Sequence, residues 1–229
     1  MNTLILTDNI YSLELARELK NRFLDIDICQ SPNGLFKDVP VCDVATDIDK
    51  ILHKYDLLIS LHCTQIFPQK LIERIRCINV HPGFNPYNRG WYPSVFSIIN
   101  AKPAGVTIHE IDSQIDHGKI IVQQECPIYS WDTSGSLYER ITGIEHDLLF
   151  AWFERIRHHV YELYEPSSEG NINFKKDYER LKELNLDTQG SYRQFLNHLR
   201  ALTHGAYKNA YFIDEEGNRV YVRIDLERA

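Results

Sequence analysis

The run Cys77-Ile78-Asn79-Val80-His81-Pro82-Gly83-Phe84-Asn85-Pro86-Tyr87-Asn88-Arg89-Gly90-Trp91-Tyr92-Pro93 decides the fold and points to the chemistry. Residues 77–80 read as a short apolar strand that carries one amide. In an α/β protein, the carboxyl end of such a strand is where reactive groups are mounted. Asn79 and His81 stand two apart, so on an extended backbone their side chains leave the same face. Pro82, Gly83 and Pro86 then turn the chain away and leave both groups at a rim. A second strand-like run, residues 105–111, leads into Asp112-Ser113-Gln114-Ile115-Asp116-His117-Gly118, whose carboxylate is expected at the same rim. Amide, imidazole and carboxylate together suit acyl transfer. Asn79 offers an uncharged donor to an oxyanion, His81 accepts or donates a proton, and Asp116 fixes the imidazole.

Outward from this stretch, the pattern is that of strands separated by helices. Residues 3–7 read as a buried strand, Asp8 as a helix cap, and Leu13, Leu15, Ala16, Leu19 and Phe23 as one helical face. Further strands are expected near 26–29 and 57–61, with helices near 47–54 and 69–75. This alternation predicts a mostly parallel, Rossmann-like α/β sheet covered by helices. The first strand-to-helix turn, Thr7-Asp8-Asn9-Ile10-Tyr11, has no Gly-x-Gly-x-x-Gly, which disfavours a nicotinamide oxidoreductase. Residues 134–159 read as a helix whose apolar stripe (Leu137, Ile141, Ile144, Leu148, Leu149, Trp152) is core packing. Residues 165–171 read as a linker. Beyond it come helices near 177–184 and 190–203, then a hairpin of residues 210–213 and 220–224 around a turn at 214–218. The expected division is a catalytic domain at 1–165 and a carboxyl-terminal helix and hairpin extension at 166–229. Two strands alone are marginal in water, so the hairpin should dock on the main domain or on a second copy, making a homodimer.

Composition narrows the function classes. With 229 residues, 43% hydrophobic and 25% charged, the chain can bury a full core. No apolar run is long enough to span a bilayer, and the amino terminus lacks the build of a signal peptide, so no membrane partner is expected. Five scattered cysteines without Cys-x-x-Cys fit reduced thiols and a cytoplasmic location. A net charge of −7 with no basic run argues against nucleic acid, while a few local cations suffice for a pyrophosphate. His62, Cys63, His109 and His117 match no compact zinc spacing, so no metal is expected.

The two loops, Asn79-Val80-His81-Pro82 and Asp116-His117-Gly118, resemble the signature of formyltransferases that use 10-formyltetrahydrofolate. With Gly105-Val106-Thr107-Ile108-His109, the likeness covers roughly residues 1–150. The segment from Gly83 to Trp91 is similar to that of enzymes which formylate amino sugars on a nucleotide carrier. Methionyl-tRNA and glycinamide-ribonucleotide formyltransferases usually carry Ser-Leu-Leu-Pro at positions 83–86, which this chain does not. The resemblance implies 10-formyltetrahydrofolate as donor. It implies as acceptor a dTDP-linked amino-dideoxysugar, with dTDP-4-amino-4,6-dideoxyglucose favoured, and a product for surface polysaccharide such as the O-antigen of lipopolysaccharide. It implies a donor pocket at His62, Cys63, Thr64 and Ile66, largely through backbone groups, and at Gly118. Gly83, Phe84, Asn85, Arg89 and Trp91, with Lys208 and Tyr211 from the tail, are the acceptor-side candidates. Arg89 serves equally as a surface ion pair, Trp91 as core filling, and residues 61–68 as an ordinary connection. Another folate-dependent formyltransferase, a formyltetrahydrofolate hydrolase, or a non-catalytic binding module on the same fold are the alternatives.

Overall fold

The computed structural model describes residues 1–166 and 168–228. Ser167, inside the expected linker, and Ala229, the last residue of the expected extension, lie outside the described residues. In chain order the elements are β1 (Thr3–Leu6), α1 (Ile10–Arg22), β2 (Ile26–Cys29), α2 (Ile48–Lys54), β3 (Leu57–Leu61), α3 (Gln69–Ile72) and β4 (Arg76–His81). Then follow β5 (Arg89–Gly90), α4 (Pro93–Asn100), β6 (Ala104–Glu110), β7 (Ile120–Cys126), α5 (Ser134–Arg157) and β8 (Ile172–Asn173). The chain finishes with α6 (Lys175–Lys182), α7 (Tyr192–Leu202), β9 (Ala210–Ile213) and β10 (Arg219–Val222). Contacts divide it into two units, each discontinuous in sequence. The first is Met1–His81, Thr107–Gln124 and Glu145–Ser167; the second is Pro82–Val106, Glu125–Ile144 and Ser168–Ala229.

The first unit is built on a six-stranded sheet of order β2-β1-β3-β4-β6-β7. Strands β2, β1, β3 and β4 run parallel, and β6 lies antiparallel to β4. The fold is therefore the α/β, mostly parallel, Rossmann-like one expected. Every residue of β1 and β3 is buried, because helices cover both faces of a parallel sheet, and such strands read as unbroken apolar runs. On one face Leu4, Leu6, Leu58 and Cys77 pack with Val44, Ile51, Phe67 and Leu71. Each fully buried leucine or isoleucine contributes about 2 kcal/mol by removal from water. The strand order reverses between β1 and β3, which are neighbours although β2 separates them in sequence. The carboxyl ends at such a switch point are where an open α/β sheet binds ligands.

Asn9, and not Asp8, caps α1. Its side chain accepts from the backbone N–H groups of Tyr11 and Ser12. Asp8 instead turns to the loop after β3, as described below.

The second unit holds two elements that hydrophobic periodicity does not isolate. One is α4, which opens on Pro93 directly after Tyr92, held at φ 54°, and whose Val95, Phe96, Ile98 and Ile99 read as strand as readily as helix. The other is the two-residue parallel pairing of β5 with β8. The carboxyl end of the expected linker is consequently not a linker. The Asn171 N–H donates to the Pro86 carbonyl at 3.2 Å, and the Arg89 N–H donates to the Asn171 carbonyl at 3.0 Å. Gly170, at φ 66°, lies so close to Pro86 that a Cβ would stand 1.9 Å from its carbonyl oxygen. At the end of the chain, β9 and β10 form the expected antiparallel hairpin, with Asp214 accepting from the N–H groups of Glu216 and Asn218 at its turn.

Candidate functional site

Within the first unit, Asn79, His81 and Asp116 come together. Asn79 Nδ2 donates to Asp116 Oδ1 at 2.8 Å, and His81 Nδ1 lies 3.5 Å from Asp116 Oδ2. One carboxylate thus serves amide and imidazole, one oxygen each. His81 is the last residue of β4 and only 4% exposed, while Asn79 is partly exposed, so the imidazole is better covered than a rim position suggests. Asp116 occupies the left-handed region at φ 47°, a strain of about 1 kcal/mol that aspartate bears better than most residues.

A fourth member, His109, is added by strand register. β6 pairs with β4 so that His109 faces Asn79 and Thr107 faces His81. His109 is buried, with Nε2 3.3 Å from Asn79 Nδ2 and 3.8 Å from Asp116 Oδ1. Its Nδ1 lies 2.7 Å from the Glu110 carbonyl. A carbonyl only accepts, so Nδ1 carries the hydrogen, and Nε2 of the neutral ring is left to accept from Asn79. Asn79 therefore directs its two amide hydrogens toward Asp116 and His109, which fixes the side on which its nitrogen stands.

Gly118 is buried where the 111–118 loop closes on the end of β6, with the Glu110 N–H donating to the Lys119 carbonyl. A Cβ on Gly118 would stand 1.9 Å from the Glu110 carbonyl oxygen. Close backbone approach is what this glycine permits. Beside it, His117 pairs with Asp112 at 2.8 Å.

The loop after β3 lies at the switch point. Asp8, from the end of β1, bridges it: Oδ2 accepts from the Thr64 N–H at 2.8 Å and its hydroxyl at 2.7 Å, and Oδ1 accepts from the Ser31 N–H at 2.8 Å. Burial raises the Asp8 pKa, but these N–H and hydroxyl donors outweigh it and hold the carboxyl below the ordinary value. Burial pushes the Cys63 thiol up to about 11, so it stays protonated near neutrality. The His62 side chain turns inward to Glu145 at 2.7 Å, while Ile66 is 73% exposed. Asp8 and Glu145 are the residues here that sequence reasoning missed. Glu145 left a signal: it falls on the helical stripe with Ile141, Leu148 and Leu149, a lone carboxylate on an apolar face.

The acceptor-side candidates belong to the second unit. Gly83 and Asn85 are buried and Phe84 is partly so. Arg89 is 6% exposed, its ion pair with the exposed Glu169 is long at 3.8 Å, and its Nε has no hydrogen-bond partner among the described residues. Of the two readings, the ion pair is present but formed from a buried guanidinium. Trp91 is 40% exposed, with Lys175 Nζ 5.7 Å from its ring centroid, a cation that sequence reading did not single out. Lys208 lies over Tyr221 of the hairpin, and the Tyr211 hydroxyl donates to Glu183 at the end of α6 at 3.0 Å, so both tail candidates are engaged by neighbours. Among the described residues there is no group of three or more His, Cys, Asp or Glu arranged to hold a metal ion. No helix among them is long and apolar enough to cross a membrane.

Residues 42–152 match the family model described as formyl transferase, and residues 177–228 match one described as the N-formyltransferase dimerization C-terminal domain. The chain is 53% identical to the dTDP-4-amino-4,6-dideoxyglucose formyltransferase of Mycobacterium tuberculosis, over 99% of this chain and 97% of that protein. It is similar to the crystal structure of a 4-N formyltransferase from Francisella tularensis, with TM-score 0.93 and 37% identity over 100% of this chain and 98% of that one. It also resembles a formyltransferase from Anoxybacillus kamchatkensis, solved in complex with UDP-4,6-dideoxy-4-formamido-L-AltNAc and tetrahydrofolate. There the TM-score is 0.64 and the identity 29%, covering 79% of this chain and 89% of that one.

Proposed function

The chain belongs to the sugar N-formyltransferases of the formyl transferase family, and from that premise we propose that it formylates the amine of dTDP-4-amino-4,6-dideoxyglucose, with 10-formyltetrahydrofolate as donor. The observation that carries the reading is the convergence of Asn79, His81 and Asp116 on one cluster, with contacts of 2.8 and 3.5 Å. Residues 1–165 are proposed to carry the chemistry and 166–229 to form the dimerisation element, in a cytoplasmic enzyme whose product enters surface-polysaccharide synthesis.

The donor fits the loop at the switch point. His62, Cys63, Thr64 and Ile66 are proposed to hold it, mainly through main-chain groups, because the His62 and Thr64 side chains are engaged by Glu145 and Asp8 and the Ile66 side chain is left exposed. Gly118 contributes through the path it gives the 111–118 loop. When bound, the donor supplies a formyl carbon on a nitrogen that can leave.

In the proposed reaction the sugar amine forms a bond to the formyl carbon, and the carbonyl electron pair moves to oxygen. Asn79 receives that oxyanion with an amide hydrogen now given to Asp116 or His109. His81 presents Nδ1 to Asp116, and since a carboxylate only accepts, Nδ1 carries the hydrogen and Nε2 is the working atom. Nε2 takes the amine proton and returns it to the departing donor nitrogen, leaving a formamide and tetrahydrofolate. The ring amine of a sugar is less basic than lysine, so little driving force is needed to have it neutral.

On the acceptor side, Arg89 is the proposed pyrophosphate cation. Among the described residues this buried guanidinium has a long pair to an exposed carboxylate and an Nε without a hydrogen-bond partner, a setting that suits an anion. Gly83, Phe84, Asn85 and Trp91 are proposed to shape the sugar and base pocket, with Lys208 and Tyr211 at its margin. The test offers dTDP-4-amino and dTDP-3-amino sugars, methionyl-tRNA and glycinamide ribonucleotide under one set of conditions with 10-formyltetrahydrofolate. A kcat/KM highest for dTDP-4-amino-4,6-dideoxyglucose is expected. Preference for either of the last two acceptors overturns the assignment, and formate release without an acceptor points to a hydrolase.

A further inference from the structure

We propose that Glu145, acting through His62, is a positioning residue for the formyl donor; this rests on the donor reading of the loop after β3. His62 Nε2 and Glu145 Oε2 are 2.7 Å apart, and their side chains are 10% and 2% exposed. Burying an acid and an imidazole together is expensive, and a well-packed apolar pair serves stability as well or better. Position 145 is one where an apolar residue would fit the pattern, since Ile141, Leu148 and Leu149 on the same stripe are buried. A merely packing role does not call for a carboxylate there.

What the carboxylate does is hold one residue. His62 sits at φ 58°, in the left-handed region, which is uncommon for a residue with a Cβ although histidine enters it more readily than most. It is the residue immediately after β3, so this turn sets the direction of everything up to Phe67. Two more anchors lie along the same segment. Asp8 accepts from the N–H and hydroxyl of Thr64. The Gln65 side chain accepts from the Val44 N–H at 2.9 Å and donates to the Cys42 carbonyl at 2.9 Å. The side chains of residues 62, 64 and 65 are thus all tied back into the first unit, while Ile66 stays exposed. A loop fixed by its side chains keeps its main chain in one arrangement before a ligand arrives, which lowers the ordering cost of binding. The Glu145–His62 pair holds the most strained of the three points.

The experiment compares Glu145→Ala, Glu145→Gln, His62→Asn and the double variant Glu145→Ala/His62→Asn in the full-length protein. Each is measured for KM of donor, KM of acceptor, kcat, and equilibrium binding of 5-formyltetrahydrofolate. Loss of a charge-assisted bond of this kind should raise the donor KM and weaken 5-formyltetrahydrofolate by about tenfold in Glu145→Ala, with acceptor KM and kcat within about threefold. Glutamine still accepts from Nε2–H, so Glu145→Gln should recover most of the affinity. The double variant should be no worse than the poorer single one, because the two residues act as one unit. Unchanged donor KM in a folded Glu145→Ala, equal losses for donor and acceptor, or additive losses in the double variant overturn the proposal. If Glu145→Ala fails to fold, Glu145→Gln against His62→Asn decides alone: retained donor affinity in the first and about tenfold loss in the second support it, and equal affinities refute it. Absence of folate-dependent transfer by the unsubstituted protein would instead remove the donor reading itself.

Discussion

Replacing Gly118 by alanine should disable the site while leaving the side chains of Asn79, His81, His109 and Asp116 unchanged. The added Cβ would stand 1.9 Å from the Glu110 carbonyl oxygen and 2.8 Å from its carbon. Real Cβ contacts stay above 3.0 Å, so the required movement is at least 3.0 − 1.9 = 1.1 Å. The obstacle is backbone on both sides, and the Glu110 N–H is itself bonded to the Lys119 carbonyl, so no flexible side chain can yield. The loop must move, and Asp116 lies two residues upstream in it. Adding about 1 Å to the 2.8 Å bond between Asn79 and Asp116 carries it past any hydrogen-bonding distance. Misplacement on this scale typically costs about a hundredfold in rate. Gly118→Ala is therefore expected to fold, to melt several degrees lower, and to show kcat about a hundredfold down. Steady-state kinetics beside a melting curve measure both. The double variant Gly118→Ala/Asp116→Ala should be about as slow as Asp116→Ala alone, since both remove one carboxylate from one place. A Gly118→Ala enzyme with kcat within about threefold of the unsubstituted protein would refute the reasoning, as would full additivity of the two substitutions.

Three more outcomes follow from the same geometry. Asn79→Ala and His81→Ala should each lower kcat by about a hundredfold or more with acceptor KM little changed, and near-normal turnover in both would sink the mechanism. Asp8 has its folded pKa held below the ordinary carboxylate value, so its contribution is present above that value and lost as pH falls through the folded one. Asp8→Asn should accordingly be less stable than the unsubstituted protein in denaturant at pH 7, with the gap narrowing as pH falls below about 4; a gap that does not narrow with falling pH contradicts this. Tyr192, Phe195 and Leu196 of α7 and Ile213, Val220 and Tyr221 of the hairpin expose apolar surface in the region matching the dimerization model, so the protein should sediment as a dimer at micromolar concentration. Sedimentation as a monomer would count against that role for residues 166–229.

Much of the first unit was legible because its signals are local. β1, β3 and β4 are apolar runs between helical periods; Asn79 and His81 stand in β4, and Asp116 follows the like run of β6. His109 was not legible as a site residue, because its place beside Asn79 depends on β6 running antiparallel to β4 in one particular register. Sequence gives neither orientation nor register. Asp8 was misread as a cap because Asp and Asn at adjacent positions are equally good caps, and only the loop 56 residues away decides which is used. The Gly170-Asn171 end of the expected linker looks like a turn by composition. What holds it is Asn88, whose buried Oδ1 accepts from the side-chain amides of Asn100 at 2.8 Å and Asn171 at 2.9 Å. Such a convergence of neutral amides leaves no periodic trace.

The antiparallel joint between β4 and β6 also accounts for the form of the site. In an all-parallel sheet, the loop after the next strand would leave from the same end as His81, and its carboxylate would meet the imidazole at the outer edge. Here β6 ends opposite Ile78, near the start of β4, with Glu110 as its last residue. The 111–118 loop must double back along β4 to present Asp116 to Asn79 and His81. That return explains three features together: the left-handed Asp116, the backbone contact at Gly118, and a cluster that lies within β4 and not beyond it. It also explains why one carboxylate can serve two groups two residues apart, since it approaches from beside the strand, where the side chains of Asn79 and His81 share a face. Depth has a chemical consequence. In the proposed role, an amide donor oriented in advance stabilises an oxyanion more strongly where little water competes, and His81 at 4% exposure and His109 at 1% cover the partly exposed Asn79 from beside.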